Sequence, residues 1–141
     1  MKRCVFWMMM GTASALAQDS WFNVIGDPHD IQQNTVEVDV VPISSTPDGL
    51  VRTMRLRVSR SEQRKSWDGI PYRSYLSQVE FNCRDRTARY INLTYFMQPG
   101  WMGESHASST HPASRPRWMR FVDMNPNPTE RLIRAACQPR G

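Results

Sequence analysis

The strongest pattern of this 141-residue chain lies between Tyr72 and Met97, where it reads YRSYLSQVEFNCRDRTARYINLTYFM. Both halves place apolar side chains at alternate positions: Tyr75, Val79, Phe81 and Cys83 in the first, and Ile91, Leu93 and Tyr95 in the second. Alternation with period two is typical of a strand with one buried face. Arg84 and Asp85 lie between the halves, so the segment predicts a long antiparallel hairpin at the centre of a sheet.

Further strands are predicted on both sides of this hairpin. Apolar residues alternate with charged ones in two earlier stretches, at Val36, Val38 and Val40 and at Met54, Leu56 and Val58. The residues Pro47 to Gly49 between them favour a turn, because proline presets one dihedral angle and glycine accepts positive ones. Residues 98–116 are rich in serine and proline and predict a loop with room for a short strand, and residues 118–122 predict a last strand.

A helix is predicted near the end of the chain. Asn127 is a good N-cap, Pro128 fits the first helical position, and Pro139 stops the run. Leu132, Ile133, Ala136 and Cys137 share one face at helical spacing. The predicted fold class is therefore α+β: a single antiparallel β-sheet with a C-terminal α-helix packed on it.

The beginning of the chain has the order of features found in an export signal. Two basic residues precede an apolar run at positions 4–10, and small residues follow up to Ala17. We predict a cleaved signal peptide at residues 1–17 and a single domain of 124 residues at 18–141, exported to the periplasm or secreted. The alternative is that the first segment forms an apolar helix of the domain. No later stretch is apolar enough to cross a membrane.

Two cysteines, Cys83 and Cys137, remain after the predicted cleavage. In an oxidising compartment they favour one intrachain disulfide, which would tie the helix to the sheet and contribute roughly 4 kcal/mol by loop closure. A free thiol, an intermolecular bridge and a metal pair are the alternatives. The chain has no CxxC spacing, and its histidines do not complete a zinc pattern with these cysteines, so no metal site is expected.

Motifs that mark catalysis are absent from the sequence. It contains no GxSxG nucleophile elbow, no phosphate-binding glycine loop and no dinucleotide fingerprint. Its carboxylates are scattered, with no pair assigned to one pocket. We expect a protein that is not an enzyme and needs no cofactor.

A weakly basic, arginine-rich composition points to a binding role. Residues 18–141 hold 16 basic and 13 acidic residues, a net charge of +3, and all but one of the cations are arginines. The candidate partner-binding residues are Arg55, Arg57, Arg60, Arg64, Lys65 and Trp101, with Trp101 expected to be more exposed than Trp118. A solvated, charged face is the alternative. Nucleic acid binding usually requires a higher net positive charge, so we favour a protein partner or a polyanionic partner other than nucleic acid.

The loop at 98–116 carries His106 and His111, five residues apart. Either could ligate haem or a metal if the loop folded around one, and solvated side chains are the alternative.

Short motifs along most of the chain carry a family resemblance. They are Trp21, the valine strand ending near Asp39, the strand Val51 to Val58, the block Pro71-Tyr72-Arg73-Ser74, Glu80 to Cys83 with the arginine-rich turn after it, Tyr95 leading to Pro99, Gly100 and Gly103, and Cys137. The layout resembles the surface-adhesin protein E-like family of small exported proteobacterial proteins. The resemblance implies a sheet with a disulfide-held C-terminal helix and adhesion to extracellular-matrix proteins or host cells. Haem binding is attributed to the namesake.

The sequence is compatible with three functions. The first is a non-catalytic exported binding module, for which association with the cell surface is left open. The second is a periplasmic envelope accessory protein without an adhesive role. The third is a small-ligand carrier, with haem as the most concrete ligand. Self-association to a homodimer is left open by the sequence.

Overall fold

A computed structural model describes residues 20–139, so the predicted signal peptide lies outside the described residues. The elements in chain order are β1 Trp21–Ile25, β2 Thr35–Asp39, β3 Ser44–Ser45, β4 Val51–Lys65, β5 Pro71–Asn82, β6 Thr87–Phe96, a 3₁₀ turn Pro99–Trp101, β7 Ser105–Thr110, β8 Arg117–Trp118 and α1 Thr129–Ala136.

All strands pair antiparallel in one sheet. The order is β1-β2-β4-β5-β6-β7, with β3 added to β4 and β8 added to β6. The predicted hairpin is confirmed as β5 and β6, joined by a turn at residues 83–86. The predicted turn at Pro47 to Gly49 is also present, with Gly49 at φ 73° and its N–H donating to the Thr46 carbonyl. The α+β fold class is confirmed.

One face of the sheet forms the core together with α1. The side chains that fill it are almost fully buried: Val36, Val38, Met54, Leu56, Val58, Val79, Phe81 and Leu93 from the strands and Leu132, Ile133 and Ala136 from α1. Removal of this apolar surface from water is the main favourable term in folding, and its contribution scales with the area buried. We call this side the core face and the other side the polar face.

A bulge in β6 overturns part of the predicted alternation. The pairing steps from Gln78↔Asn92 to Val79↔Tyr90, which leaves Ile91 without a partner in β5. An extra residue on one strand reverses the facing of every side chain beyond it. Tyr90 therefore lies on the core face, 2% exposed, whereas Ile91 is only half-buried.

The last predicted strand is shorter than expected. Only Arg117 and Trp118 pair with β6, and the chain turns away at Phe121, which has a φ of 44°. A positive φ is incompatible with a continuing strand. The helix begins at Thr129, whose backbone N–H donates to the Asn127 side chain at 2.9 Å, one residue later than predicted.

The disulfide between Cys83 and Cys137 is formed, with the two Cα atoms 5.6 Å apart. Cys83 directly follows β5, and Cys137 directly follows α1. The Arg52 guanidinium adds hydrogen bonds to the carbonyls of Ala136 and Gln138 at 2.9 and 2.7 Å. The predicted disulfide is confirmed, and Arg52 adds two polar contacts at the end of α1.

Candidate partner-binding site

The basic stretch of β4 divides between two surfaces. Arg55 and Arg57 lie on the polar face, because their neighbours Leu56 and Val58 point into the core. The pairing of β4 with β5 then shifts between Ser59 and Arg64, with three more residues on β4 than on β5. Arg60 follows Leu56 and Val58 at the alternate position and lines a cavity on the core side together with Arg64 and Lys65. Tyr75 and Tyr90 also border this cavity. The structure does not bring the six predicted partner-binding residues together.

Arg55 and Arg57 are each paired with a carboxylate of β2. Arg55 Nη2 lies 2.6 Å from Asp39 Oδ2, and Arg57 Nε donates to Glu37 Oε2 at 2.7 Å. Asp39 and Glu37 are 0% and 2% exposed. Much of the positive charge predicted for this stripe is therefore neutralised within the protein.

The environment of Asp39 favours its ionised form. Burial alone would raise the pKa of this carboxyl, but hydrogen bonds from Ser20, from the Val41 N–H and from Arg55 outweigh burial and lower the pKa below its usual value of 3.8. Asp39 is therefore a carboxylate at neutral pH and a full partner for Arg55.

Trp101 is half-buried, so the expectation that it is more exposed than Trp118 is wrong. Its backbone N–H donates to Ser74 Oγ at 3.0 Å, and its indole N–H donates to the Tyr75 carbonyl at 2.9 Å. These bonds fold the indole onto the sheet. The Arg57 guanidinium lies 4.7 Å from the centre of its ring, so Trp101 takes part in a cation–π contact of the polar face.

Two exposed tryptophans and an exposed valine lie around the cavity on the core side. Trp67, Trp118 and Val122 are 51%, 41% and 84% exposed, and all three lie around the cavity that Arg64, Lys65 and Arg120 also line. We call the surface formed by these six residues the aromatic-basic surface. It combines large apolar side chains with cations, which is the composition of energetically important protein contacts.

Two separate stretches of the chain build the aromatic-basic surface. Arg64 and Lys65 end β4, Trp67 lies in the following turn, and the remaining residues belong to β8 and the segment after it. The tip of the β4–β5 hairpin curls over the core face, because the Trp67 ring lies 5.3 Å from that of Tyr90. The Arg117 guanidinium, 4.9 Å from the Trp67 ring, closes the gap between the tip and β8.

Four residues of this surface are not among the candidates that the sequence predicted: Trp67, Trp118, Arg120 and Val122. The sequence pattern predicts that Trp118 is less exposed than Trp101, and it places Val122 in a strand. No local pattern marks the last three positions, because they depend on the pairing of β8 with β6, which places Arg117 opposite Tyr90 and Trp118 opposite Arg89. That pairing depends on residues far apart in the chain.

The two candidate histidines lie at opposite ends of β7. His106 is hydrogen-bonded through Nε2 to the Pro71 carbonyl at 2.6 Å, and His111 Nε2 lies 3.3 Å from Ser109 Oγ. Five extended residues span roughly 16 Å, so the two rings do not converge on one ligand. Between residues 20 and 139, no group of three or more His, Cys, Asp or Glu side chains is placed to hold a metal ion.

Fold and site together define a small, disulfide-linked antiparallel-sheet domain with an exposed aromatic and basic surface. The chain belongs to the surface-adhesin protein E family, whose model matches residues 21–138. No curated protein and no solved structure matches the chain significantly. In the part of the chain that the structure describes, no helix is both long and apolar enough to span a bilayer.

Proposed function

We propose that this protein is an exported, non-catalytic binding module that attaches to an extracellular-matrix protein through the aromatic-basic surface. Membership of a surface-adhesin family supports adhesion as the kind of activity. Export to the periplasm or beyond rests on the predicted signal peptide.

The observation that carries the proposal is the exposure of Trp67, Trp118 and Val122 within one surface. Tryptophan and arginine dominate the binding energy of protein interfaces, because they bury a large area and still make polar contacts. Trp67 also contacts Tyr90 and the Arg117 guanidinium, so part of its rotamer freedom is already lost before binding. Such preorganisation favours affinity.

The positive charge of the aromatic-basic surface indicates which kind of partner surface would be complementary to it. Arg64, Lys65 and Arg120 surround the tryptophans, and Asp123 is the acidic side chain beside them. An acidic patch on the matrix protein would be attracted over a distance of about 10 Å at moderate salt. We therefore expect association to slow as salt is raised, while dissociation depends mainly on the tryptophans.

Binding to immobilised matrix glycoproteins, measured by surface plasmon resonance, tests the proposal. The double substitution W67A/W118A should lower affinity at least 10-fold, because each interface tryptophan contributes about 1–2 kcal/mol or more. R120E should mainly slow association.

Matched controls are available at the far edge of the sheet. Phe22 on β1 is 51% exposed, like Trp67, and borders a groove beside Arg134 of α1. Four strand spacings, roughly 19 Å, separate β1 from β6. F22A and R134E should leave binding unchanged. The proposal would be refuted if F22A and R134E reduced affinity as much as the substitutions on the aromatic-basic surface. Binding of the chain to a sulfated polysaccharide without binding to a matrix protein would also refute it.

A further inference from the structure

Beneath the aromatic-basic surface lies a cavity of about 410 Å³. This volume is within the range of small-molecule sites, about 300–1,000 Å³. Its lining residues include Trp67 of the hairpin tip, Tyr72 and Tyr95 of the sheet, and Trp118 of β8. Planar aromatic walls of this kind favour a planar ring between them.

The charge around the cavity selects the sign of a ligand. Arg60, Arg64, Lys65 and Arg120 line it, and within the described chain Asp123 is the acidic residue that joins them. Asp123 accepts from Arg60 and lies 3.3 Å from Arg64 Nη1, so one carboxylate faces two guanidinium groups. The net charge of the side chains that line the cavity is therefore positive. A cavity with aromatic walls and this net charge disfavours a cationic ligand and favours an anionic one.

Three buried polar atoms of the wall residues have no hydrogen-bond partner among residues 20–139: the Tyr95 hydroxyl, Arg60 Nε and Arg64 Nε. Tyr95 is 0% exposed and Arg60 is 2% exposed. Such groups are rare in folded proteins, since they lose their bonds to water without replacement. The neighbouring hydroxyls of Tyr75 and Tyr90, by contrast, bond each other at 2.6 Å.

The phenols around the cavity supply donors and no negative charge. Burial raises the pKa of Tyr72, and it raises the pKa of Tyr75 and Tyr90 further. An incoming anion therefore meets neutral hydroxyls and cations.

We propose that this cavity binds a small aromatic carboxylate of one or two fused rings. The ring lies between the tryptophan and tyrosine walls, and the carboxylate is held by Arg60, Arg64 and the Tyr95 hydroxyl. This site goes beyond the proposed function, because it needs no second macromolecule.

Isothermal titration calorimetry of the purified chain with three indole derivatives of similar size and different charge tests the ligand class. Indole-3-acetate should bind at least 10-fold more tightly than indole-3-acetamide, which lacks the charge. Tryptamine, which reverses the charge, should not bind at millimolar concentration. Equal affinity for acetate and amide, tighter binding of tryptamine, or no binding of any of the three would overturn the proposal.

Substitutions locate the ligand within the protein. Y95F removes only the unpartnered hydroxyl and should weaken indole-3-acetate about 5-fold or more without lowering the melting temperature of the free chain. Y75F breaks the bond to Tyr90 and should lower that temperature, which distinguishes a structural hydroxyl from a binding one. R64Q should weaken the acetate and leave the amide unchanged, and R134Q is the matched control.

Unchanged acetate affinity in both Y95F and R64Q would place the ligand elsewhere and overturn the site. The outcome is separable from that of the adhesion experiment, because titration uses the chain alone. Loss of matrix binding in W67A/W118A has no bearing on the difference between acetate and amide in the unaltered protein.

Discussion

Glu37 and Asp39 illustrate how single residues set the properties of the polar face. Both carboxylates are buried on β2, and each faces an arginine of β4. The Arg57–Glu37 pair is mostly buried, and removing one partner of such a pair leaves an uncompensated charge, which costs about 3–5 kcal/mol. The Arg55 side chain is 58% exposed, so its pair with Asp39 contributes less. Arg55 and Arg57 therefore stabilise the fold whether or not a partner also contacts them.

The pH dependence of stability follows from the lowered pKa of Asp39. The folded-state pKa lies below the unfolded value, so this carboxyl contributes stability above pH 3.8 that is lost as the pH falls through the folded-state pKa. D39N should lower the free energy of unfolding at pH 7 by about 2 kcal/mol, because hydrogen bonds to a charged group are lost.

Urea unfolding between pH 2 and pH 7 measures this effect. The difference between the unaltered protein and D39N should shrink below about pH 4, where Asp39 becomes protonated. E104Q serves as the control, since Glu104 is an exposed carboxyl. A D39N profile that runs parallel to that of the unaltered protein down to pH 2 would contradict the role given to Asp39.

At the level of elements, α1 depends on its attachments. It has eight residues, fewer than an isolated helix needs in water. Leu132, Ile133 and Ala136 bury its apolar face, and the disulfide fixes its end. The helix is thus formed by packing and cross-linking more than by its own propensity.

Loss of the disulfide should therefore act on both stability and α1. The 54-residue separation of Cys83 and Cys137 predicts a loss of about 4 kcal/mol for C83S/C137S from loop-closure entropy. Amide exchange should accelerate in α1 more than in β4 and β5. Urea denaturation and exchange mass spectrometry measure the two effects, and unchanged stability would show that the bridge is dispensable.

Local patterns predicted most of the elements, and long-range pairing accounts for the errors. The alternation of Met54, Leu56 and Val58 sufficed for β4, and the caps sufficed for α1 to within one residue. The bulge at Ile91 depends on how β6 meets β5, which no local pattern records.

The candidate site was harder to predict for the same reason. Trp67 and Trp118 are 51 residues apart and meet only because the hairpin tip curls over the core face. The alternation of β4 places Arg55 and Arg57 on one face and Arg60 on the other, so one basic stretch contributes to two surfaces. Charge composition indicated a binding role, but the geometry of the sheet determines which cations act together.

In the molecule as a whole, the regions that stabilise the fold differ from the region proposed to bind a partner. The disulfide and α1 close one part of the core face, and charged pairs cover the polar face. The hairpin tip and the segment after β8 close the other part and carry the exposed tryptophans. Substitutions on the aromatic-basic surface should therefore change binding while the core stays intact.

The most direct test is a hydrogen-exchange footprint of the chain bound to a matrix protein. We predict slower exchange at residues 64–67 and 117–122, with unchanged exchange in β1 and α1. Protection confined to β1, α1 or the turn at 83–86, with residues 64–67 and 117–122 unaffected, would contradict the assignment of the aromatic-basic surface as the binding site.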